Sequence, residues 1–516
     1  MPHLFSTNRS RARLTIVAAL AVFGLCGAPA PVAAAKPNVI LVMADDLGIG
    51  DITPTNPDCK IKTPHLQQLA NEGLTFLDAH TPSSVCTPTR YGLITGRYNW
   101  RSRLAKGVLF GESEHLIPAD RPTLGHLMQA AGYHTAMLGK WHLGWDFHKT
   151  DGQIDFTQPV TNGPDINGFD QYYGFCGSLD MPPYVWVDTG KITALPDRVE
   201  GITRKEDEYG WYREGPIGAD FHIPQVLPQL FNRAIAHVHH RAGEAKNEKP
   251  FFLYFPLPAP HTPIVPVSPF TGKSELNPYA DFVMQVDDSI GALLKAVQES
   301  GIEQNTLVLF TSDNGCSPSA NFPLLQSHGH RPSGPYRGHK ADIYEGGHRV
   351  PLIARWPGVV QAGTRTNSLA CLTDIYATLR EITGQPVQSV GGEDGYSLLP
   401  VFRGEASSGR DTLVSHSIEG AFAIRQGDWK LCLCAGSGGW SDPKELVARK
   451  RNLPPMQLFN LADDIGEQKN LVEQEPQRVQ ALLDLLKQQV TNGRCTPGQT
   501  LANDRQVNYL PASVAP

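Results

Sequence analysis

The stretch Pro37-Asn38-Val39-Ile40-Leu41-Val42-Met43 is almost continuously apolar and β-branched, which predicts a strand buried on both faces. It runs into Ala44-Asp45-Asp46-Leu47-Gly48. Three further short apolar runs end in the same manner. Tyr133 to Leu138 is followed by Gly139-Lys140-Trp141-His142. Phe251 to Phe255 leads to Pro258-Ala259-Pro260-His261, and Thr306 to Phe310 to Ser312-Asp313-Asn314-Gly315. Between them the apolar spacing becomes helical: His65 to Gly73, Leu124 to Ala131 stopped by Gly132, Pro228 to Ala242 with Pro228 in the first turn, and Tyr279 to Gln298 closing near Gly301. Strands alternating with helices predict an α/β fold, a parallel sheet with helices on both faces. Ligands of such sheets bind beyond the carboxyl ends of the strands. Four strands deliver acids, an amide, a lysine and histidines to that edge.

The tail is patterned differently. Ala421 to Leu433 predicts two short strands around Gly427, with Arg425, Asp428 and Lys430 facing outward. Met456 to Asn460 adds a strand and Val479 to Val490 an amphipathic helix. We expect a large domain over 36–403 and a smaller α+β domain over 404–516. No repeat of 20–50 residues and no long low-complexity segment interrupts them.

The chain has 516 residues, 41% of them hydrophobic, enough for a sizeable core. A formal net charge of −6 excludes general affinity for nucleic acid, which needs a basic surface. Arg9, Arg11 and Arg13 precede an apolar stretch, Leu14 to Leu25, and small residues at Ala33-Ala34-Ala35. This predicts a signal peptide over 1–35, cleavage near Ala35, passage through the export machinery and a periplasmic or secreted protein. The apolar stretch is short for a membrane anchor, so no stable membrane insertion is expected. Eight cysteines remain after the signal: Cys59, Cys86, Cys176, Cys316, Cys371, Cys432, Cys434 and Cys495. They are too sparse for a disulfide scaffold, although export permits some pairing.

One cysteine stands in a distinctive setting, Cys86-Thr87-Pro88-Thr89-Arg90. Thr87 suits an N-cap and Pro88 a first helical position, which places Cys86 at a helix N-terminus, where N–H groups and the helix dipole favour an anion. Arg90 lies one turn on. The plain alternative is a buried structural cysteine. A thiolate phosphatase loop requires five residues between Cys and Arg, and only three intervene here.

Cys-x-Pro-x-Arg followed by Leu93-Ile94-Thr95-Gly96-Arg97 resembles the signature of the type I, formylglycine-dependent sulfatases. In family order the chain also carries Asp45-Asp46, Gly139-Lys140-Trp141-His142, Pro260-His261, Asp313-Asn314-Gly315, Gly338-His339-Lys340 and Leu458-Phe459-Asn460-Leu461. Each short motif is weak; the ordered set is specific. The resemblance implies an alkaline-phosphatase-like, mostly parallel mixed sheet sandwiched by helices. It also implies a sulfuric ester hydrolase in which a formylglycine-generating maturase oxidises Cys86 to 3-oxoalanine. One hydroxyl of the aldehyde hydrate attacks sulfur; the other later loses a proton and expels sulfate, an escape closed to a serine.

The resemblance further implies Asp45, Asp46, Asp313 and Asn314 as ligands of one Ca²⁺ ion, an oxygen set that suits a hard cation. Taken alone, these residues serve equally as caps and turn formers. Arg90, Lys140 and Lys340 are implied to neutralise the sulfate, His142 to take a proton, His261 to protonate the leaving oxygen with Lys340, and Ser178 to contact the sulfate. His328, His330, His339 and His348 offer a zinc alternative, but their Gly- and Pro-rich setting predicts a loop over the pocket.

Two alternatives stay open: a phosphohydrolase of the same architecture, and a non-catalytic carbohydrate-binding relative. Gly334-Pro335-Tyr336-Arg337-Gly338-His339-Lys340 through Tyr344-Glu345-Gly346-Gly347 resembles the branch with arylsulfatases and N-acetylgalactosamine-6-sulfatases. That implies a sulfated carbohydrate, with aryl sulfates as further substrates, and loops 180–212 and 314–335 shaping the pocket.

Overall fold

Alternate residues of the first apolar run go to opposite sides of one sheet. Ile40, Val42 and Ala44 join one hydrophobic core; Val39, Leu41 and Met43 join a second. Phe251, Leu253 and Phe255 divide from Phe252 and Tyr254 in the same way, as do Val308 and Phe310 from Leu307 and Leu309. Both faces of these strands are dry, so polar side chains appear only where the strands end.

The computed structural model describes residues 36–511 apart from 406 and 408. The expected signal peptide lies outside the described residues. Ten strands build the central sheet: β1 (Asn38–Ala44), β2 (Leu74–Phe76), β3 (His134–Lys140), β4 (Gln171–Phe175), β5 (Val187–Asp188), β6 (Lys191–Ile192), β7 (Phe251–Pro256), β8 (Thr306–Ser312), β9 (Leu352–Arg355) and β10 (Thr364–Thr366). Their order is β10-β2-β9-β8-β1-β7-β3-β4-β5-β6. The centre is parallel, with β1 between β7 and β8 and β3 between β7 and β4. Strand β9 runs antiparallel to β8 and β2, and β5 antiparallel to β4 and β6, so the sheet is mixed and mostly parallel.

Helices α1 (Pro64–Asn71), α4 (Val226–Ala245) and α5 (Pro278–Glu299) cover one face. Helices α2 (Cys86–Thr95), α3 (Leu124–Ala130) and α6 (Asp374–Ile382) cover the other. Their ends follow local chemistry. Asn277 caps α5 by accepting from the Ala280 N–H, and Thr123 caps α3 by accepting from the His126 N–H. Helix α4 begins two residues before Pro228, continuous with a 3₁₀ turn at Ile223–Gln225. Among the described residues no helix is long and apolar enough to cross a membrane.

Near the C-terminus β11 (Thr412–His416), β12 (Phe422–Gln426), β13 (Trp429–Cys432) and β14 (Gln457–Asn460) form an antiparallel sheet. Helix α7 (Pro476–Thr491) shares a hydrophobic cluster with it and with Tyr98 and Trp100. Asp428 is exposed as expected, but Arg425 and Lys430 are buried rather than outward-facing. Arg425 Nη2 lies 2.8 Å from Asp78 Oδ2. Lys430 Nζ lies 3.0 Å from Glu345 Oε1 and 2.9 Å from Glu467 Oε1. The alternation marks one sheet face as polar, but that face meets opposite charge instead of water. All eight cysteines of the described residues are free, so the pairing that export would permit is absent.

Candidate active site

Four strands of the parallel centre end side by side, and the loops leaving them carry the site. Asp45 and Asp46 follow β1, and Asp313 and Asn314 follow β8. Lys140 ends β3 with His142 two residues on, and His261 lies beyond β7. Asp46 (φ 66°) and His142 (φ 55°) occupy the left-handed region, which turns each loop sharply over the sheet edge. The Asp46 N–H donates to Asp313 Oδ1 at 3.2 Å and the Leu47 N–H to Ser312 Oγ at 3.0 Å, locking the two loops together.

Cys86 faces this edge from the first position of α2. The cap is Val85 in extended conformation, so the helix starts two residues earlier than expected. Thr87 is therefore inside the helix rather than its N-cap, and its Oγ1 instead accepts from the Leu109 N–H. Cys86 Sγ is 3.7 Å from Asp45 Oδ1. One turn on, Arg90 reaches to the sheet edge: Nε and Nη2 hold Asp313 Oδ2 at 3.1 and 2.8 Å, and Nη1 donates to the Lys140 carbonyl at 3.0 Å. Lys140 Nζ lies 2.6 Å from Asp45 Oδ2, and Lys340 Nζ 2.8 Å from Asp46 Oδ2. His261 Nε2 is 3.6 Å from Asp46 Oδ2. His142 Nε2 meets the Leu109 carbonyl at 2.8 Å, leaving Nδ1 without a partner among the described residues. Ser178 is buried on the same cavity as Cys86, its Oγ without a hydrogen-bond partner among the described residues.

These groups are nearly dry, and burial and charge partners together set their protonation. Burial opposes ionisation of Asp45, but Lys140, His261, Arg90 and Lys340 outweigh it and hold its carboxyl well below the usual range. Burial and the Asp45 charge push Asp313 up to about 6 despite Arg90. Burial, with Lys140 and Arg90, drives His142 well down, so its imidazole is neutral. Burial pushes the Cys86 thiol up despite Lys140 and Lys340, and an unmodified thiol held there is a weak nucleophile.

The donor set fits a hard divalent cation. Asp45, Asp46 and Asp313 bring carboxylates to one buried spot, and Asn314 Oδ1 is buried with no hydrogen-bond partner among the described residues. Ligand atoms of Asp45, Asp46, Cys86 and His261 lie within 4.8 Å of one another. The histidine alternative does not assemble. His330 Nε2 is bonded to Asp51 Oδ1 at 2.8 Å. His348 packs against His80, Nδ1 to Nδ1 3.0 Å, with Lys430 Nζ 3.0 Å from its Nε2. Both carboxylate oxygens of the nearby Glu345 are taken up by Lys430 and Arg349, so this group is engaged with protein partners away from the pocket. Of the four, His339 alone comes near the pocket, on an adjoining cavity.

A cavity of about 290 Å³ opens over Cys86, His142, Ser178, His261 and Lys340. Loop 180–212 contributes Asp180, Arg204 and Trp211, and Ser317 and Ser319 come from loop 314–335, as expected. Phe110, Ile418 and Trp440 also line the wall and were not anticipated. They come from three separate loops, and nothing in their local sequence marks them.

A dry anion pocket of arginine and lysines, set at the carboxyl edge of an α/β sheet beside a carboxylate cluster, defines a hydrolase of anionic esters. The sulfatase family model matches residues 37–385. The chain is 31% identical over 483 residues to N-acetylgalactosamine-6-O-sulfatase of Bacteroides thetaiotaomicron, covering 88% of this chain and 93% of that one. It is 35% identical over 479 residues to arylsulfatase A of Bos taurus, covering 89% of each. A solved 6S-sulfatase structure from glycosaminoglycan metabolism in Bacteroides thetaiotaomicron superposes with a TM-score of 0.76 at 30% identity, covering 88% of this chain and 99% of that one. The chain belongs to the sulfatase family and is a sulfuric ester hydrolase.

Proposed function

We propose that this sulfatase removes sulfate from a sulfated carbohydrate, with small aryl sulfates as secondary substrates, and that residue 86 acts as formylglycine. The observation that carries the substrate reading is the cavity over Cys86. At about 290 Å³ it lies at the small end of ligand pockets, about 300–1,000 Å³. That accommodates one sugar ring or one aryl ring at the end of a molecule. Its wall mixes Trp211, Trp440 and Phe110 with Asp180, Arg213 and serines, the aromatic-plus-polar lining that suits a sugar. The glycan-directed name of a relative covered over 93% of its length supports the same substrate class.

In this reading, oxidised and hydrated residue 86 supplies one hydroxyl to attack sulfur and a second whose deprotonation releases sulfate. The N-terminus of α2 and Arg90, Lys140 and Lys340 oppose the sulfate charge in a dry site, where such contacts count most. Neutral His142 accepts a proton at Nδ1, the nitrogen left free by the Leu109 carbonyl. His261 holds the proton for the leaving oxygen, with Lys340 beside it, and Ser178 Oγ donates to the sulfate. Asp45, Asp46, Asp313 and Asn314 would hold a Ca²⁺ ion, which when bound polarises a sulfate oxygen and the attacking hydroxyl. Maturation requires a formylglycine-generating maturase. The basic, apolar and small-residue order of residues 1–35 supports export to the periplasm or medium.

Initial rates of matured protein on N-acetylgalactosamine 6-sulfate, related sugar sulfates, 4-nitrophenyl sulfate and 4-nitrophenyl phosphate test the proposal. Turnover of at least one sugar sulfate above the phosphate is expected. Turnover of aryl sulfate with none of any sugar sulfate would overturn the carbohydrate reading.

A further inference from the structure

The groups around residue 86 account for one end of the pocket and leave a second polar arrangement on its wall unused. Asp180 is only 5% exposed. Its Oδ2 holds Arg213 Nη1 at 2.5 Å, and its main-chain oxygen accepts from the same Nη1 at 2.9 Å and from the Arg213 N–H at 3.3 Å. Oδ1, by contrast, is buried with no hydrogen-bond partner among the described residues. An orphaned carboxylate oxygen is costly, and a site that keeps one has a donor to receive. Asp180 lies on the same cavity as Cys86, two residues beyond Ser178.

The surrounding wall is built to hold a ring. Asp180, Trp211 and Arg213 all line the cavity. Arg204 stacks 4.4 Å above the Trp211 ring and Arg213 5.6 Å from it, so two guanidiniums fix the indole. The scaffold is an antiparallel hairpin, Pro196–Ile202 with Tyr212–Gly218, whose connecting loop carries Arg204 and Trp211 to the pocket. Arg213, on the second strand of the hairpin, clamps Asp180.

We propose that Asp180 is a specificity-determining residue that selects sugar sulfates over aryl sulfates. Its Oδ1 accepts a hydrogen bond from a hydroxyl on the sugar that bears the reacting sulfate, Arg213 holds the carboxylate in place, and Trp211 packs against the ring. An aryl sulfate has no such hydroxyl. The inference rests on the carbohydrate reading above and adds the contact that enforces it.

The test compares matured wild type with Asp180→Asn on N-acetylgalactosamine 6-sulfate, its singly deoxygenated analogues and 4-nitrophenyl sulfate. Asn keeps the shape but loses the charged acceptor. The ratio of kcat/KM for sugar over aryl sulfate is expected to fall about 10- to 100-fold, the loss of one charge-assisted hydrogen bond. One deoxy analogue is expected to be a poor substrate for wild type, with that penalty largely gone in the variant. A ratio within about twofold of wild type, or equal losses on both substrates, would overturn the role. Should the variant not fold, the deoxy series on wild type decides: if every analogue reacts like its parent, Asp180 selects no hydroxyl. Failure of wild type on all sugar sulfates, with aryl turnover intact, instead overturns the carbohydrate reading and is seen before any variant is made.

Discussion

Lys430→Met is the substitution whose cost the structure specifies most fully. The lysine is buried on β13 and its ammonium serves Glu345 at 3.0 Å, Glu467 at 2.9 Å and His348 at 3.0 Å. Methionine fills similar space without charge. Breaking a buried ion pair by removing one partner costs about 3–5 kcal/mol, because the other charge is stranded. Here the two carboxylates are not equally charged. Burial raises both, but Lys430, His80, His348 and Arg349 pull Glu345 well below the usual range, while Glu467 is pushed up to about 7. Loss of Lys430 therefore strands chiefly Glu345, which keeps Arg349 Nη1 at 2.9 Å. The expected loss is at the lower end, about 3 kcal/mol. Adding Glu467→Gln removes the second acid and supplies an amide donor, so the double variant should recover roughly 1–2 kcal/mol. Activity should fall as well. The helix Glu345–His348 presents the Gly347 carbonyl to the Gly315 N–H at 3.0 Å, next to Asn314. Urea unfolding of wild type, both singles and the double gives the cycle. A Lys430→Met variant within about 1 kcal/mol of wild type, or a double variant weaker than the sum of the singles, would refute this electrostatic account.

Three further outcomes follow from the same geometry. Glu467 keeps its proton in the folded chain up to about pH 7 but loses it near 4.5 when unfolded, so the folded state binds more protons between those values. Stability should fall as pH rises through that window, and Glu467→Gln should flatten the slope in denaturant titrations at several pH values. His261→Ala should slow sugar sulfates by roughly 10²–10⁴-fold but 4-nitrophenyl sulfate much less, since nitrophenolate leaves without a proton; equal losses would remove His261 from leaving-group protonation. Stripping divalent ions with EGTA should lower both turnover and the thermal midpoint, and Ca²⁺ should restore both by mass action; no change in either would argue against a cation at Asp45, Asp46, Asp313 and Asn314.

The centre of the fold and its polar edge were legible because strands dry on both faces read as unbroken apolar runs, and the residues following them are the ones that build the site. Asp45, Lys140, His261 and Asp313 each follow such a run. The short outer strands were not legible. Leu74–Phe76, Leu352–Arg355 and Thr364–Thr366 have three or four residues each, too few to show a period, and pairing rather than propensity makes them strands. Arg425 and Lys430 misled because alternation records polarity and not whether water or Asp78 and Glu345 lies opposite. Phe110, Ile418 and Trp440 meet only in the folded chain, so their shared wall has no sequence signal. Thr87 shows the limit of capping rules: extended Val85 starts the helix without a side-chain cap, while the threonine hydroxyl is engaged by the Leu109 N–H.

The central claim is that residue 86 works as formylglycine, and peptide mass spectrometry across Cys86, on protein co-expressed with a formylglycine-generating maturase, tests it most directly alongside a Cys86→Ala control assayed on sulfate esters. The account predicts a loss of about 18 Da at residue 86, the change from thiol to aldehyde, with turnover absent from the control. An unmodified Cys86 in protein that still hydrolyses sulfate esters would contradict it.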